Sequence, residues 1–435
     1  MSYFKIKGGK KLSGSINVNS SKNSAVALLA ASLVNDGITE FYNFPDLEET
    51  KRIIEILESI GVKFSWMNKR HLIITQPKKL TIDNINYASA AKTRSVLLML
   101  GPLIHKFRTF KLPKSGGCKL GARTVAPHLY ALENFGVKID SCPQYYLVNT
   151  DKKSPSKDII LYESGDTVTE NAILAAALTP GKTIIKYASA NYQIQELCFF
   201  LKKLGVKINN IGSTTISIYG VSKINTKVKY TLAEDPIEAM LFIALAATTH
   251  SEITIKRCPI DFLELELLKL EKMGLNFSLS KKYKSYNKET NLVDLKIKPS
   301  KLIAPEEKIY GRPFPGINID NLPFFVPIAT QAKGRTLIHD WVYENRALYY
   351  TELIKLGADI TLADPHRVFI EGPTKLKSNE IIAPPALRPA AIILIAMLAA
   401  SGQSTLRNVY SISRGYENLT ARLASLGAKI EKIEE

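Results

Sequence analysis

A cysteine in a glycine-rich, basic segment is the first candidate for chemistry in this sequence. Lys114 to Arg123 read KSGGCKLGAR, so Cys118 has glycines on both sides and cations nearby in sequence. Glycine lets the backbone adopt left-handed or strained conformations, and neighbouring positive charge lowers the pKa of a thiol. Cys118 is therefore a candidate for acid–base or nucleophilic chemistry. The alternative is a small buried hydrophobic side chain, the commoner state of an isolated cysteine.

Other candidate residues lie at the starts of segments that are apolar almost all round. Such a segment predicts a helix that is buried on every side. Six occur, namely NSAVALLAASLV, TRSVLLMLGPLI, TENAILAAALTP, PIEAMLFIALAA, NLPFFVPIATQA and RPAAIILIAMLAA. The candidates at or near their first positions are Lys22, Arg94, Thr169, Asn171, Asp320 and Arg388. Because helix N-termini carry free N–H groups and a positive dipole end, we expect these ends to bind anions.

A glycine followed by a short β-like run recurs after a helical pattern. The copies begin at Gly61, Gly136, Gly205, Gly274, Gly357 and Gly427, at intervals of 69 to 83 residues. Each glycine suits the C-terminal end of an amphipathic helix such as ETKRIIEILESI. A repeat of this period must be explained before a fold is assigned. The simplest explanation is six units, each with two helices and several strands, arranged as two pseudo-symmetric domains of three units.

The composition indicates a globular protein with a large core. The chain has 435 residues, of which 46% are hydrophobic, enough for two or three domains. Its four cysteines are scattered without CxxC or Cys/His spacing, so neither a zinc site nor a disulfide framework is indicated. The start lacks the apolar core of a signal peptide, and the run AAIILIAMLAA is too short to span a bilayer. We therefore expect a soluble cytoplasmic protein with no membrane partner.

The net charge of +18 favours anionic partners. The lysines are dispersed along the chain, however, and no nucleic-acid-binding motif occurs. Most of the charge is therefore interpreted as a solvated surface, and we expect no nucleic-acid partner. Nucleic-acid binding stays the alternative, and it predicts retention on heparin and a steep salt dependence.

Motifs around the candidate residues resemble those of the enolpyruvyl transferase family over essentially the whole chain. In order they are SKNSA, KTR, GGCKLGAR, TENAILAA, FPGINID, YENR, ALR and SRGYE. The cysteine segment favours the nucleotide-sugar branch, because the sister family that acts on shikimate 3-phosphate lacks it. The resemblance implies an α/β (α+β) fold with two inside-out barrel domains, built from six βαβαββ-like units. One domain would be 21–234, with the cysteine loop, and the other 1–20 plus 235–435, with the catalytic aspartate.

The resemblance also implies a reaction. The enolpyruvyl group of phosphoenolpyruvate would pass to the 3'-hydroxyl of UDP-N-acetylglucosamine with release of phosphate, the first committed step of peptidoglycan synthesis. Cys118 would protonate carbon 3 of phosphoenolpyruvate and would be alkylated by the epoxide fosfomycin. Asp320 would take the acceptor's proton, although a helix N-cap is an alternative role for an aspartate in this place. No cofactor and no metal are implied.

The remaining site residues are mostly cations. Lys22, Arg123 and Arg414 match the family's phosphate clamp, and Lys22 and Arg414 are counted with the catalytic residues. Arg346 and Arg388 match residues near the carboxylate and phosphate of phosphoenolpyruvate. Arginine suits both groups because its planar fork donates two bonds at a time, although a surface ion pair is the alternative for any single one. The other substrate-binding residues are Asn23, which matches a contact to the acceptor sugar, and Arg94, which ends the motif KTR.

Departures from the family pattern cluster on the acceptor side. Ala126 replaces an Asp that recognises the uracil ring, and the stretch from Gly165 to Asn171 differs where the family lies against the nucleotide. Pro236 replaces an arginine, and Ala386 replaces an Asp beside Arg388. Three explanations are open: a divergent orthologue, a paralogue that uses a different nucleotide or sugar acceptor, and a non-catalytic nucleotide-sugar-binding paralogue. The acid–base pair argues against the last, because binding alone does not need it.

Overall fold

The computed structural model describes residues 2–116, 124–150 and 158–434. These residues form a mixed α/β structure, as the sequence predicts. The strands are β1 (Ser2–Gly8), β2 (Ser13–Asn17), β3 (Ile38–Tyr42), β4 (Lys63–Asn68), β5 (His71–Thr75), β6 (Thr109–Pro113), β7 (Val137–Ser141), β8 (Tyr145–Thr150), β9 (Asp158–Ile160), β10 (Gly181–Lys186), β11 (Lys207–Asn209), β12 (Thr215–Gly220), β13 (Val228–Thr231), β14 (Glu252–Pro259), β15 (Asn276–Leu279), β16 (Tyr283–Lys284), β17 (Asn291–Lys298), β18 (Ile309–Tyr310), β19 (Gly334–His339), β20 (Asp359–Asp364), β21 (Arg367–Gly372), β22 (Glu380–Ile382), β23 (Gly402–Arg407) and β24 (Lys429–Glu434).

Helices connect these strands. The α-helices are α1 (Lys22–Ala31), α2 (Glu48–Ser59), α3 (Tyr87–Ala90), α4 (Leu100–Leu103), α5 (Ala126–Glu133), α6 (Asp166–Ala177), α7 (Tyr192–Lys203), α8 (Pro236–Thr248), α9 (Glu264–Lys272), α10 (Phe325–Ala329), α11 (Leu387–Ala399), α12 (Tyr410–Ser413) and α13 (Leu419–Ser425). The 3₁₀ segments are Ser32–Val34, Ile82–Asn84, Arg94–Met99, Ile260–Phe262, Leu322–Phe324 and Ala347–Leu356. Within the described ranges, no helix has the length and apolar character needed to cross a membrane.

The chain divides into two compact units. Unit 1 contains the described residues of 2–19 and 234–434, and unit 2 contains those of 20–116 and 124–233. The sheets of unit 1 have the strand orders β22-β23-β1-β24, β15-β17-β14-β2 (with β16 beside β17) and β18-β19-β21-β20. Those of unit 2 have the orders β11-β12-β10-β9, β13-β3-β5-β4 and β6-β8-β7.

Strand alternation explains how the sheets cover the core. In β1, Phe4 and Ile6 are buried, and the lysines on either side of Ile6 face outward. Ile6 pairs in register with Ile430 of β24, which is also buried. Successive side chains of a strand point to opposite faces, so this sheet has one apolar face, and α11 and α13 contact its strands.

Four of the six predicted buried helices form as single α-helices. These are α1, α6, α8 and α11, and α8 is buried over its whole length. In unit 1, α8, α10 and α11 all contact one another. The prediction is confirmed for these four, because a helix with no polar stripe is stable only when it is surrounded.

The other two apolar segments break into shorter pieces. TRSVLLMLGPLI forms the 3₁₀ segment Arg94–Met99 followed by α4, and NLPFFVPIATQA forms Leu322–Phe324 followed by α10. Proline lacks an N–H and clashes with the preceding turn. Pro102, Pro323 and Pro327 therefore shorten the α-helical runs, and the prediction of one continuous helix in each place is wrong.

The predicted helix-ending glycines are confirmed. Their φ angles lie between +76° and +102° at Gly61, Gly136, Gly205, Gly274, Gly357 and Gly427. A strand begins one or two residues after each of them. An added Cβ at Gly205 would meet nothing within 4 Å, so the requirement there is conformational: only glycine adopts this backbone without strain.

Candidate active site

In unit 1, Asp320 is held by two arginines. Arg388 Nη2 donates to Asp320 Oδ2 at 3.2 Å, and Nη1 of Arg346 lies 3.9 Å from Asp320 Oδ1. The Asp320 side chain is 25% exposed, whereas Arg388 is 7% and Arg346 1% exposed. A carboxylate that solvent can reach is therefore backed by two buried cations.

Asp320 lies one residue before the N-cap position of the next 3₁₀ segment. The residue that precedes the 3₁₀ segment Leu322–Phe324 is Asn321, and no side-chain cap bond forms there. Glu266 instead holds this turn, because it accepts from Asn318 N at 3.1 Å and from Asn321 Nδ2 at 2.9 Å. Burial raises the pKa of Glu266, and these two hydrogen bonds oppose the rise. Asp320 is therefore not the N-cap residue of this 3₁₀ segment.

Arg388 lies in the first turn of α11, where few groups offset the positive end of the helix dipole. The N-cap residue Ala386 makes no side-chain cap bond, and the first turn contains no acidic residue. A cation beside the positive end of a helix dipole is unfavourable. Arg388 is held in this place by Asp320 and by Tyr416, whose hydroxyl accepts from Nη1 at 2.6 Å. An anionic ligand here would interact favourably with both the guanidinium and the helix end.

Arg346 is engaged inside unit 1. Its Nη2 donates to Asp340 Oδ1 at 2.9 Å and to the carbonyl of Ile319 at 2.8 Å, and its Nε donates to the second Asp340 oxygen. Tyr350 also donates its hydroxyl to Asp340. These contacts fasten Arg346 to the backbone just before Asp320. A direct contact of Arg346 with substrate stays a prediction.

In unit 2, Lys22 and Asn23 form the first turn of α1. The N-cap residue Ser21 accepts from Ser24 N at 3.2 Å, and the turn contains no acidic residue. Asn23 Nδ2 donates to the hydroxyl of Tyr192 at 2.9 Å. Lys22 thus repeats the arrangement of Arg388, with a cation at the positive end of a buried helix.

Arg94 begins a 3₁₀ segment of unit 2. Its Nη2 donates to the carbonyl of Thr124 at 2.8 Å. The preceding residue, Thr93, caps the segment by accepting from Ser95 N at 3.0 Å. Arg94 therefore connects this segment to the chain just before α5.

Thr169 and Asn171, which also follow the start of a buried helix, are engaged in the core. Asn171 Nδ2 bonds to the carbonyl of Leu97 and to Nδ1 of His128, both at 2.9 Å. Its Oδ1 accepts from Gly101 N at 2.8 Å. Thr169 Oγ1 donates to the carbonyl of Gly165 at 2.7 Å. These two side chains fasten α6 to its neighbours and do not line an open anion site, contrary to the expectation for them.

The remaining predicted site residues are Arg414, Cys118 and Arg123. Arg414 follows α12 and is partly buried. Cys118 and Arg123 lie outside the described residues. The roles of all three stay predictions.

The four departures from the family pattern all lie at helix N-termini. Ala126 is the first residue of α5, Gly165 is the N-cap of α6, Pro236 is the first residue of α8, and Ala386 is the N-cap of α11. Pro236 is well suited to its position, because the first helical residue needs no N–H. The other three positions have alanine or glycine at a helix end.

Three buried side chains around the arginines are not among the residues predicted from the sequence. They are Asp340, Tyr350 and Tyr416. Tyr416 lies in the motif SRGYE, two residues after Arg414, and Tyr350 follows Arg346 by about one helical turn. These positions beside predicted arginines were the only sequence signals for the two tyrosines. Asp340 lies outside the motifs, so it had no such signal in the sequence. No group of three or more His, Cys, Asp or Glu in the described ranges is arranged to hold a metal.

A carboxylate backed by buried arginines, on a mixed α/β scaffold, is an arrangement suited to binding anionic groups. The chain belongs to the EPSP synthase (3-phosphoshikimate 1-carboxyvinyltransferase) family, whose sequence model matches residues 6–423. The resemblance inferred from the motifs is thereby confirmed.

Relatives of similar length carry a more specific name. The chain is 34% identical to a UDP-N-acetylglucosamine 1-carboxyvinyltransferase of Treponema denticola, with 99% of each chain covered. It is 33% identical to that of Campylobacter lari, with 100% of each covered, and 32% identical to that of Borreliella burgdorferi, with 99% and 98% covered.

Solved structures share the fold at lower sequence identity. The enolpyruvyl transferase NikO from Streptomyces tendae is 23% identical, with a TM-score of 0.83 and 99% of each chain covered. An EPSP synthase from Acinetobacter baumannii is 19% identical, with a TM-score of 0.78 and 100% of each chain covered.

Proposed function

We propose that this protein transfers the enolpyruvyl group of phosphoenolpyruvate to the 3'-hydroxyl of UDP-N-acetylglucosamine and releases phosphate. This would be the first committed step of peptidoglycan synthesis, in the cytoplasm. The observation that carries the proposal is the pair formed by Asp320 and Arg388, a partly exposed carboxylate bonded at 3.2 Å to a buried guanidinium. The names of the full-length relatives support the choice of acceptor.

Proton transfer would be divided between two residues. Carbon 3 of phosphoenolpyruvate must gain a proton while carbon 2 is attacked by the acceptor hydroxyl. Cys118 would supply the proton to carbon 3, and Asp320 would take the proton of the hydroxyl as the new C–O bond forms. The tetrahedral intermediate then loses phosphate and a proton from carbon 3. A positioned acid or base contributes roughly 10²- to 10⁴-fold in rate, and Arg388 would hold the Asp320 carboxylate in place.

Cations would neutralise the phosphate and carboxylate of phosphoenolpyruvate. We assign the phosphate to Lys22, Arg123 and Arg414, and the carboxylate side of the substrate to Arg346 and Arg388. The placement of Lys22 and Arg388 in first helical turns without acidic residues supports this assignment. Helix N-termini with a cation are suited to phosphate and carboxylate groups.

The acceptor would be contacted from unit 2. We propose that Asn23 contacts the acceptor sugar, and we count Arg94 among the substrate-binding residues. Both side chains are positioned by bonds within unit 2, Asn23 to the hydroxyl of Tyr192 and Arg94 to the carbonyl of Thr124.

We further propose the detailed architecture that the family resemblance implies. Six βαβαββ-like units would form two inside-out barrels, one of residues 21–234 and one of residues 1–20 plus 235–435. Two observations support this. Five of the sheets contain one parallel strand pair followed by two antiparallel pairs, as in β9, β10, β12 and β11. The six helix-ending glycines also recur with the spacing of the units.

A paralogue with a different nucleotide or sugar acceptor is the second candidate. The observation that favours it is the placement of Ala126, Gly165 and Ala386 at helix N-termini. A helix end can bind a negatively charged or hydrogen-bond-accepting group through its own N–H groups. Loss of side chains there changes which acceptor groups are recognised, while the residues assigned to phosphoenolpyruvate are retained.

Phosphate release tests both candidates. Phosphoenolpyruvate is incubated with the enzyme alone, with UDP-N-acetylglucosamine, and with a panel of other nucleotide sugars and shikimate 3-phosphate. We expect release that depends on UDP-N-acetylglucosamine. Release with another acceptor instead would favour the paralogue, and no acceptor-dependent release by folded enzyme would refute the transferase activity.

A further inference from the structure

We propose that Tyr416 is a positioning residue for the reaction, which fixes the direction in which Arg388 presents its guanidinium to Asp320. This inference rests on the proposed function, because it concerns the same site. Tyr416 is 3% exposed, and its hydroxyl accepts from Arg388 Nη1 at 2.6 Å. The centre of its ring lies 5.4 Å from the guanidinium carbon. One side chain thus contacts Arg388 through both a hydrogen bond and an aromatic ring.

The two terminal nitrogens of Arg388 meet different partners. Nη1 donates to the Tyr416 hydroxyl, and Nη2 donates to Asp320 Oδ2 at 3.2 Å. A guanidinium is planar and its nitrogens form a rigid fork. Fixing the direction of Nη1 therefore fixes the direction of Nη2. The arginine side chain itself has several rotatable bonds, so the bond to Tyr416 adds a restraint on the guanidinium to the one that Asp320 supplies.

The chemical character of Tyr416 suits this role. A neutral hydroxyl orients the guanidinium by a hydrogen bond and does not place a second negative charge, besides that of Asp320, next to it. Burial raises the pKa of Tyr416, and the charge of Arg388 opposes the rise. The hydroxyl therefore stays protonated at neutral pH. Arg346 is held differently, since its partner Asp340 is a buried carboxylate that forms two bonds with it. Arg388 thus combines one charged partner, Asp320, with one neutral partner, the hydroxyl of Tyr416.

Substitution of Tyr416 by Phe removes the hydroxyl and keeps the ring. We expect kcat to fall about tenfold, the effect of losing a hydrogen bond to a charged group, while KM for the acceptor changes less than about twofold. Thermal unfolding checks that the variant is folded. The matched control is Tyr230→Phe, which removes a buried hydroxyl of unit 2 and should leave kcat at the wild-type value.

A double-mutant cycle separates positioning from a purely structural effect. Arg388→Lys removes the forked guanidinium, so Tyr416→Phe should have no further effect on kcat in that background. Tyr230→Phe should behave identically in both backgrounds. If the effects of Tyr416→Phe and Arg388→Lys multiply, or if Tyr416→Phe alone turns over normally, the proposal is wrong.

A spectroscopic measurement on the resting enzyme makes the test independent of turnover. In enzyme labelled with ¹⁵N-arginine, the Nη signals of Arg388 are assigned by their loss in Arg388→Lys. We expect slow rotation of the guanidinium in the wild type and faster rotation, seen as averaged signals, in Tyr416→Phe. Unchanged signals would refute the positioning role even if the enzyme acted on another acceptor. Averaged signals would support it even if UDP-N-acetylglucosamine were not used.

Discussion

Asp320 and Asp340 both pair with arginine, but they differ in burial. Asp340 is 1% exposed and binds Arg346, which is equally buried. Asp320 is 25% exposed and contacts Arg388. A buried ion pair is costly to break because the partner left behind keeps its charge without compensation. A partly exposed carboxylate can be changed with less structural damage, because water replaces part of the lost interaction.

Substitution of Asp320 by Asn should therefore separate turnover from folding. We expect kcat to fall by about 10²-fold or more, as for loss of a general base, while the melting temperature stays within a few degrees. The amide oxygen of Asn can still accept from Arg388, and Arg346 keeps Asp340. Turnover is followed by phosphate release and folding by circular dichroism.

Asp340→Asn is the matched control for this variant. It leaves Arg346 buried beside a neutral amide, so we expect a loss of about 3–5 kcal/mol in the free energy of unfolding, the usual effect of breaking a buried pair. Near-normal turnover in Asp320→Asn would show that Asp320 is not the base. Equal destabilisation by both substitutions would show that the two aspartates have the same structural role.

At the level of elements, sequence periodicity predicts the features that depend on a few neighbouring residues. The buried helices α1, α6, α8 and α11 and the glycines that end helices follow from apolar pattern and backbone preference, which act over a few residues. The two broken helices could not be recognised from apolarity alone, because their prolines act on backbone hydrogen bonds. Tyr416 contacts Arg388 from 28 residues further along the chain, which no local pattern predicts. Asp340 lies only six residues before Arg346, but no motif marks it.

Glu170 shows how an element can bury a titratable group. It lies in α6, is 1% exposed, and its Oε1 has no hydrogen-bond partner among the described residues. Burial and then the charge of Asp166 raise its pKa well above the usual value, and Gln193 opposes the rise. The folded state therefore holds a proton on Glu170 that the unfolded state releases above about pH 4.3. Stability must then fall as the pH rises from that value toward the folded-state pKa.

Glu170→Gln should remove this pH dependence. We expect the variant to gain melting temperature relative to the wild type at pH 8, with a smaller gain at pH 5, where the unfolded chain has released less of the proton. Between about pH 4.3 and the folded-state pKa of Glu170, the difference between variant and wild type in the free energy of unfolding should change by about 1.4 kcal/mol per pH unit. The exposed Glu133 in α5 is the control, and Glu133→Gln should give the same small change at both pH values. A gain for Glu170→Gln that does not depend on pH would contradict a neutral Glu170.

At the scale of the whole molecule, the three cysteines within the described residues differ in their burial. Cys198 and Cys258 are fully buried, one in each unit. Burial raises the pKa of Cys198 to about 12 and also raises that of Cys258, so both thiols are poor sources of thiolate. Cys142 is partly buried. Because the thiolate is the reactive form, Cys198 and Cys258 are disfavoured for such chemistry. Cys142 and Cys118 are left, and of these the sequence places Cys118 among glycines and cations.

Fosfomycin should therefore modify Cys118 faster than the other three cysteines. The resemblance to a family whose loop thiol is alkylated by this epoxide motivates the choice of reagent, and burial explains the protection of Cys198 and Cys258. We expect the acceptor sugar to accelerate the modification, Cys118→Ala to abolish the adduct, and Cys118→Asp to keep some turnover, because a carboxylic acid can also deliver a proton. Intact-protein mass spectrometry followed by peptide mapping measures the rate at each thiol. If Cys118 were labelled no faster than Cys142 in the presence of acceptor, the proton donor would have to be sought elsewhere, and the mechanism would retain only its base, Asp320.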